Sequence, residues 1–251
     1  MMNVCKVRDL EIGSGNVKVC VPVVGCTQED ILEKITDLEK QDYDFLELRL
    51  DYFQDVHDMC KVKELLQNVR QVLSRPLLLT CRSSKEGGQV DFQEQDMQAL
   101  IDLVCQDDIV DMLDLEMSYD TVALFRWIEE LHRHHIQVVL SSHYFDCKPD
   151  NEDIRSILDK MDVLGGDVLK VATIVNYKKD VIDVMNVTLE MSSRIQRPLV
   201  VIGMGELGKI TRIAGSLMGS AVTFASYGQE SAPGQFSLED IHIVLEAISH
   251  D

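Results

Sequence analysis

The chain has 251 residues, 45% hydrophobic and 27% charged, which supplies a substantial core and excludes a disordered segment. Its formal net charge of −19 repels phosphate backbones and anionic lipid, so no nucleic acid and no membrane is expected as a partner, and an anionic ligand would need a local basic pocket. Seven scattered cysteines without a C-x-x-C pair, no signal-peptide-like N-terminus and no run near ~18 apolar residues predict a soluble cytoplasmic protein with free thiols.

Residues 1–16 precede the first unit and contain Gly13-Ser14-Gly15-Asn16 between two short apolar stretches, which predicts a β-hairpin capping a barrel bottom, turned at the glycines. From residue 17 a βα rhythm begins. Strands are expected at 17–25, 45–50, 76–82, 109–116, 136–143, 167–173, 198–205 and 221–226. Between and after them, 28–41, 57–74, 92–106, 119–134, 150–164, 178–195, 208–220 and 236–250 carry helical apolar spacing. Near-continuous apolar strands imply burial on both faces, and eight successive βα units fit an α/β fold of the (β/α)8 TIM-barrel type, a single catalytic domain over 1–251.

In such a barrel the reacting groups gather at the carboxyl ends of the strands. Strand two ends in Glu47-Leu48-Arg49, with Glu47 and Arg49 on one face, and strand three ends in Arg82 and runs into Ser83-Ser84-Lys85-Glu86-Gly87-Gly88. Strand five ends in His143, strand six carries Lys170 in an apolar frame, and the loop after strand seven leads to Arg212. A lysine in a buried strand must snorkel or sit in a pocket favouring its neutral amine, which is a nucleophile toward carbonyl carbon. The alternative is a rim lysine paired with Asp114 or Glu116. A histidine on the neighbouring strand adds a proton shuttle, with Glu86 placed to fix its tautomer, and Arg49, Arg82 and Arg212 provide a cationic pocket for an acidic substrate.

These residues lie in the stretches CVPVVGCT, FLELRLDYF, LLLTCRSSKEGGQ, DLE, VVLSSHYF, VLKVAT, VIGMGELGKITRIAGSLMGSAVTFAS and SAPGQ. In order and spacing they resemble the type I 3-dehydroquinate dehydratases, over essentially the whole chain. The resemblance implies a (β/α)8 barrel, commonly a homodimer, that converts 3-dehydroquinate to 3-dehydroshikimate in the shikimate pathway without metal or organic cofactor. It also implies roles. Lys170 would form the imine, His143 would move the protons and Glu86 would hold the histidine. Glu47, Arg49 and Arg82 would hold substrate hydroxyls and Arg212 its carboxylate, while Met204, Phe224, Ser231 and Gln235 would line and close the pocket. One position departs from the family pattern: Tyr144 follows the histidine where aspartate or asparagine is usual.

Three other signals carry less. Gly203-Met204-Gly205-Glu206-Leu207-Gly208 fits G-x-G-x-x-G, but it does not open a first Rossmann unit and no acidic residue ends the next strand. His132-Arg133-His134-His135 reads as a solvated helix end, and the cysteines lack zinc spacing. A class I aldolase-like barrel using the same lysine, or a catalytically silent barrel that binds a small acid, are the competing readings.

Overall fold

A computed structural model of the protein describes residues 4–248; the expected ends of the domain at 1–3 and 249–251 lie outside the described residues. The strands in chain order are β1 (Cys5–Val7), β2 (Leu10–Ile12), β3 (Lys18–Val23), β4 (Phe45–Arg49), β5 (Leu77–Thr80), β6 (Met112–Glu116), β7 (Gln137–Tyr144), β8 (Val168–Ile174), β9 (Leu199–Met204), β10 (Val222–Ser226) and β11 (Phe236–Ser237). The helices are α1 (Gln28–Leu38), α2 (Met59–Val72), α3 (Glu94–Val104), α4 (Thr121–Arg133), α5 (Asn151–Leu164), α6 (Lys178–Arg194), α7 (Lys209–Ile213), α8 (Gly215–Met218) and α9 (Leu238–Ile248).

Strands β3 to β10 coincide with the eight strands expected from the apolar runs. They pair in parallel in the order β10-β3-β4-β5-β6-β7-β8-β9. The ring closes where Leu199 bridges Ser220 and the Ala221 N–H donates to the Leu199 carbonyl at 2.7 Å. Helix starts are set locally: the Thr27 hydroxyl accepts from the Asp30 N–H, and Asp58 and Asp120 cap α2 and α4 with their carboxylates.

Alternation along the strands sorts the core into two shells. Leu46, Leu48, Leu79, Leu113, Leu140, Leu169 and Val201 face outward and bury against the helices. Phe45, Leu78, Met112, Val139, Val168, Val200 and Val222 face inward and fill the lower barrel, where Cys5, Val7 and Ile12 of the β1–β2 hairpin join them. A fully buried leucine of this kind contributes ~2–3 kcal/mol through its area alone.

Two expectations are corrected. The hairpin exists, but it turns at Arg8-Asp9 rather than at the glycines, with Arg8 at φ 53. That left-handed residue is held by its guanidinium, which donates to Asp111 at 2.6 Å, while Gly13–Asn16 only leads into β3. The segment 208–220 is not one helix but α7 and α8, broken at Ala214. Ala214, at φ −87 and ψ 14, leaves the helical conformation, and at the next position a side chain would meet the Ser220 carbonyl at 2.8 Å and Val17 at 3.0 Å, so Gly215 is needed where α8 begins.

Candidate active site

Above the apolar floor the inward positions turn polar. Glu47 and Arg49 on β4, Arg82 after β5, Asp114 and Glu116 on β6, Ser141 and His143 on β7 and Lys170 on β8 all belong to this upper part of the barrel. Lys170, His143, Glu86, Glu47, Arg49, Arg82, Arg212, Met204, Phe224, Ser231 and Gln235 line one cavity at the carboxyl ends of the strands. Every residue selected from the sequence as a site candidate therefore reaches the same space.

Lys170 is 6% exposed, with its Nζ 3.6 Å from Glu47 Oε1 and 4.0 Å from the centre of the Phe224 ring. Its carboxylate partner is neither Asp114 nor Glu116, so the rim-lysine alternative fails. Those two carboxylates are taken by Arg82, whose Nη2 donates to Asp114 and whose Nη1 donates to Glu116 and to the Ser141 hydroxyl, at 2.9 to 3.0 Å. Arg82 thus ties β5, β6 and β7 together under the cavity, and its pKa is held above the usual guanidinium value by these carboxylates despite burial.

Glu86 follows β5 in a short 3-10 turn, Ser84–Glu86. One of its oxygens accepts from both the backbone N–H and ring Nδ1 of His143, each at 2.9 Å. With Nδ1 carrying the hydrogen, Nε2 is left with its lone pair free. Burial, then the Arg82, Lys170 and Arg49 charges, push His143 well below its ordinary value and keep the ring neutral. Burial and the neighbouring Glu116 carboxylate push Glu86 up to about 8.

Arg49 is clamped bidentately by Asp51, which also accepts from the backbone N–H groups of Arg82 and Gln89. Asp51 thereby fastens the loop that carries Glu86 to the end of β4. Arg212, on α7, is 3% exposed and has a different environment. Nη2 donates to the Pro233 carbonyl at 3.1 Å, and Nε has no partner. Burial pushes its pKa down to about 10, partly offset by Glu230. A guanidinium so placed has donor capacity to spare for a carboxylate.

The segment between β10 and β11 covers this side of the cavity. The Gly205 N–H donates to the Pro233 carbonyl at 3.2 Å, the side-chain Oε1 of Gln235 accepts from the Ser231 N–H at 2.9 Å, and its Nε2 donates to the Ser231 hydroxyl at 3.1 Å. Gly234 has φ 76, and a Cβ there would stand 2.6 Å from the Gly205 carbonyl. The glycines at 203–208 have a packing reason as well: a Cβ on Gly208 would lie 2.1 Å from the Gly203 carbonyl.

A sequence model described as type I 3-dehydroquinase matches residues 19–251. The 3-dehydroquinate dehydratase of Listeria welshimeri is 35% identical over 248 residues, covering 98% of each chain. That of Clostridium kluyveri is 36% identical over 252 residues, covering 99% of each. The chain belongs to the type I 3-dehydroquinase family. In structure it is similar to the type I 3-dehydroquinate dehydratase of Clostridium difficile, determined with covalent modified comenic acid, at 32% identity and a TM-score of 0.95 over 99% of this chain and 98% of that one. The family is one of hydro-lyases, so the chain is an enzyme of that class.

Sequence reasoning missed several residues. Asp51 and Ser141 were not selected, and Asp114 and Glu116 were weighed only as partners of Lys170; together the four are the buried polar frame that holds Arg49 and Arg82, and the alternation Asp114-x-Glu116 beside Ser141-x-His143 was the available signal. Phe145, Ala172, Ile202, Gly87 and Ala232 also line the cavity. Tyr144, the departure from the family pattern, is partly buried against the outer apolar shell, on the opposite face of β7 from His143.

Proposed function

We propose that the protein dehydrates 3-dehydroquinate to 3-dehydroshikimate through an imine on Lys170, with His143 moving the protons. The single observation that carries the reading is a buried amine on β8 and a neutral imidazole on β7 facing one cavity that also holds an open guanidinium. That the Clostridium difficile relative was determined with covalent modified comenic acid supports a covalent step.

In this reading Arg212 takes the substrate carboxylate and the Ser231–Gln235 flap closes over it, while Glu47, Arg49 and Arg82 orient the hydroxyls and Met204 and Phe224 wall the ring. The Lys170 nitrogen adds to the ketone carbon, and water leaves as the iminium forms. The iminium is an electron sink, so His143 Nε2 removes the adjacent C–H proton and an enamine results. The enamine expels the β-hydroxyl, which leaves as water with the proton now on His143. A second water then hydrolyses the conjugated imine and frees the lysine. The net change is loss of one water, with no redox step and no cofactor required.

The test is borohydride trapping with 3-dehydroquinate: the reduced adduct is expected on the Lys170 peptide, and its appearance elsewhere or nowhere overturns the reading. Lys170→Ala should give no adduct, whereas His143→Ala should still be trapped while eliminating slowly. Supply of the shikimate pathway from the cytoplasm is part of the same proposal, supported by the unpaired cysteines among the described residues. A single domain acting as a homodimer completes it. Exposed Ile182, Leu189, Ile210 and Leu217 on the neighbouring helices α6, α7 and α8 support the dimer, which light scattering on wild type and Leu217→Asp would check.

A further inference from the structure

At the end of the barrel away from the cavity, α3 and α4 finish side by side, since each runs back from the mouth to the start of the next strand. Cys105 is the residue that ends α3. Glu130 lies in the last turn of α4, and His134 ends that helix one turn later, on the same face. A sulfur of Cys105, an oxygen of Glu130 and a ring nitrogen of His134 all lie within 4.8 Å of one another. The two signals that meant little separately in the sequence, a lone cysteine and a histidine-rich helix end, meet here in space.

We propose that Cys105, Glu130 and His134 form a binding site for a divalent transition ion of the zinc class, separate from the catalytic cavity. The donor set is one thiol, one imidazole and one carboxylate, the mixture that suits tetrahedral zinc with water as the fourth ligand. The geometry is close to what is needed. His134 Nε2 and Glu130 Oε1 are already 3.3 Å apart, while Arg133 engages the other carboxylate oxygen at 2.6 Å and fixes the group's orientation. Bonds of about 2.0 Å to nitrogen and oxygen and 2.3 Å to sulfur would require only small side-chain rotations.

The carbonyl ends of the two helices meet at the site, and the Arg133 guanidinium on Glu130 offsets part of that negative potential. Coordination releases the thiol proton to solvent and leaves the sulfur as thiolate. A bound ion would link the ends of two helices that contribute nothing to the chemistry above, so its effect is on stability and not on turnover.

Chelator-treated full-length protein titrated with Co²⁺ tests this directly. The expected result is a single equivalent of bound cobalt with a thiolate-to-metal charge-transfer band in the near ultraviolet, displaced by Zn²⁺, together with a raised melting temperature. C105S should abolish the band, and E130Q and H134A should each weaken cobalt binding by about tenfold or more, while dehydration of 3-dehydroquinate stays unchanged with or without metal. Absence of the band in wild type overturns the proposal, as does a band of the same strength in C105S, which would place the ion on another cysteine. If C105S does not fold, H134A decides: weakened cobalt binding supports the site and undiminished binding refutes it. Because the readout is cobalt absorbance, the outcome is independent of the catalytic reading.

Discussion

Replacing Glu86 by glutamine separates what its charge does for catalysis from what it does to stability. The carboxyl is held at about 8 in the folded protein, against 4.5 as its ordinary value. Between those two pH values the native state binds the proton that the unfolded chain has lost, so stability falls as pH rises through the window and the full loss is present above pH 8. At 1.36 kcal/mol per pH unit the loss is about 2 kcal/mol at pH 6 and about 5 kcal/mol at pH 9. Glutamine keeps the shape and one acceptor for the His143 N–H groups without the charge. Urea unfolding of both proteins should therefore show Glu86→Gln gaining about 3 kcal/mol on wild type between pH 6 and pH 9. The same variant should turn over about 10²- to 10⁴-fold more slowly, since the imidazole loses the carboxylate that fixes its tautomer. A stability difference between the two proteins that stays flat from pH 6 to pH 9 would refute the electrostatic argument, and full turnover would refute the orienting role.

Further outcomes follow from the same geometry. In wild type, kcat/KM should rise with pH through about 8, because Glu86 must be ionised to hold the Nδ1 hydrogen and leave Nε2 as the base; a profile that falls over that range contradicts the assignment. Arg212→Gln should raise KM about 10- to 100-fold with a smaller change in kcat, the scale of one lost charged hydrogen bond, as steady-state kinetics would show. Gly234→Ala should raise KM several-fold and leave the melting temperature nearly unchanged, because the added methyl strains the flap against the Gly205 carbonyl just past β9 and not the core. Leu78→Ala, at 1% exposure in the barrel floor, should cost about 2–5 kcal/mol in chemical unfolding while sparing KM.

The barrel was legible because inward and outward positions are both apolar in the lower half of each strand, which makes the strands continuous hydrophobic runs. Turns were less so. Arg8 takes a left-handed conformation that residue preference would assign to Gly13 or Gly15, and only the ion pair to Asp111, more than a hundred residues away, explains it. The close packing of Gly215 against Ser220 and Val17, just past the break at Ala214, is likewise set by residues outside that segment's own pattern. In the site, strand ends and resemblance together located the cavity residues, but not how they divide their partners. From sequence, Arg49, Arg82 and Arg212 look alike. In space, Arg49 is fastened to Asp51 and Arg82 to Asp114 and Glu116, while Arg212 keeps an unpartnered nitrogen.

The two-residue strand β11 lies beside β10 in parallel, with Ala225 opposite Phe236 and Ser226 opposite Ser237. Residues 227–235 are thus strung between two posts that stand next to each other, and the Ser226 hydroxyl bonded to the Phe236 carbonyl locks the posts together. Such a segment can swing out as a loop with a closed neck, so admission and discharge of small molecules need disturb no rung of the barrel ladder. Its length is correspondingly free to drift: inserted residues would enlarge the loop at a cost that grows only with the logarithm of its size.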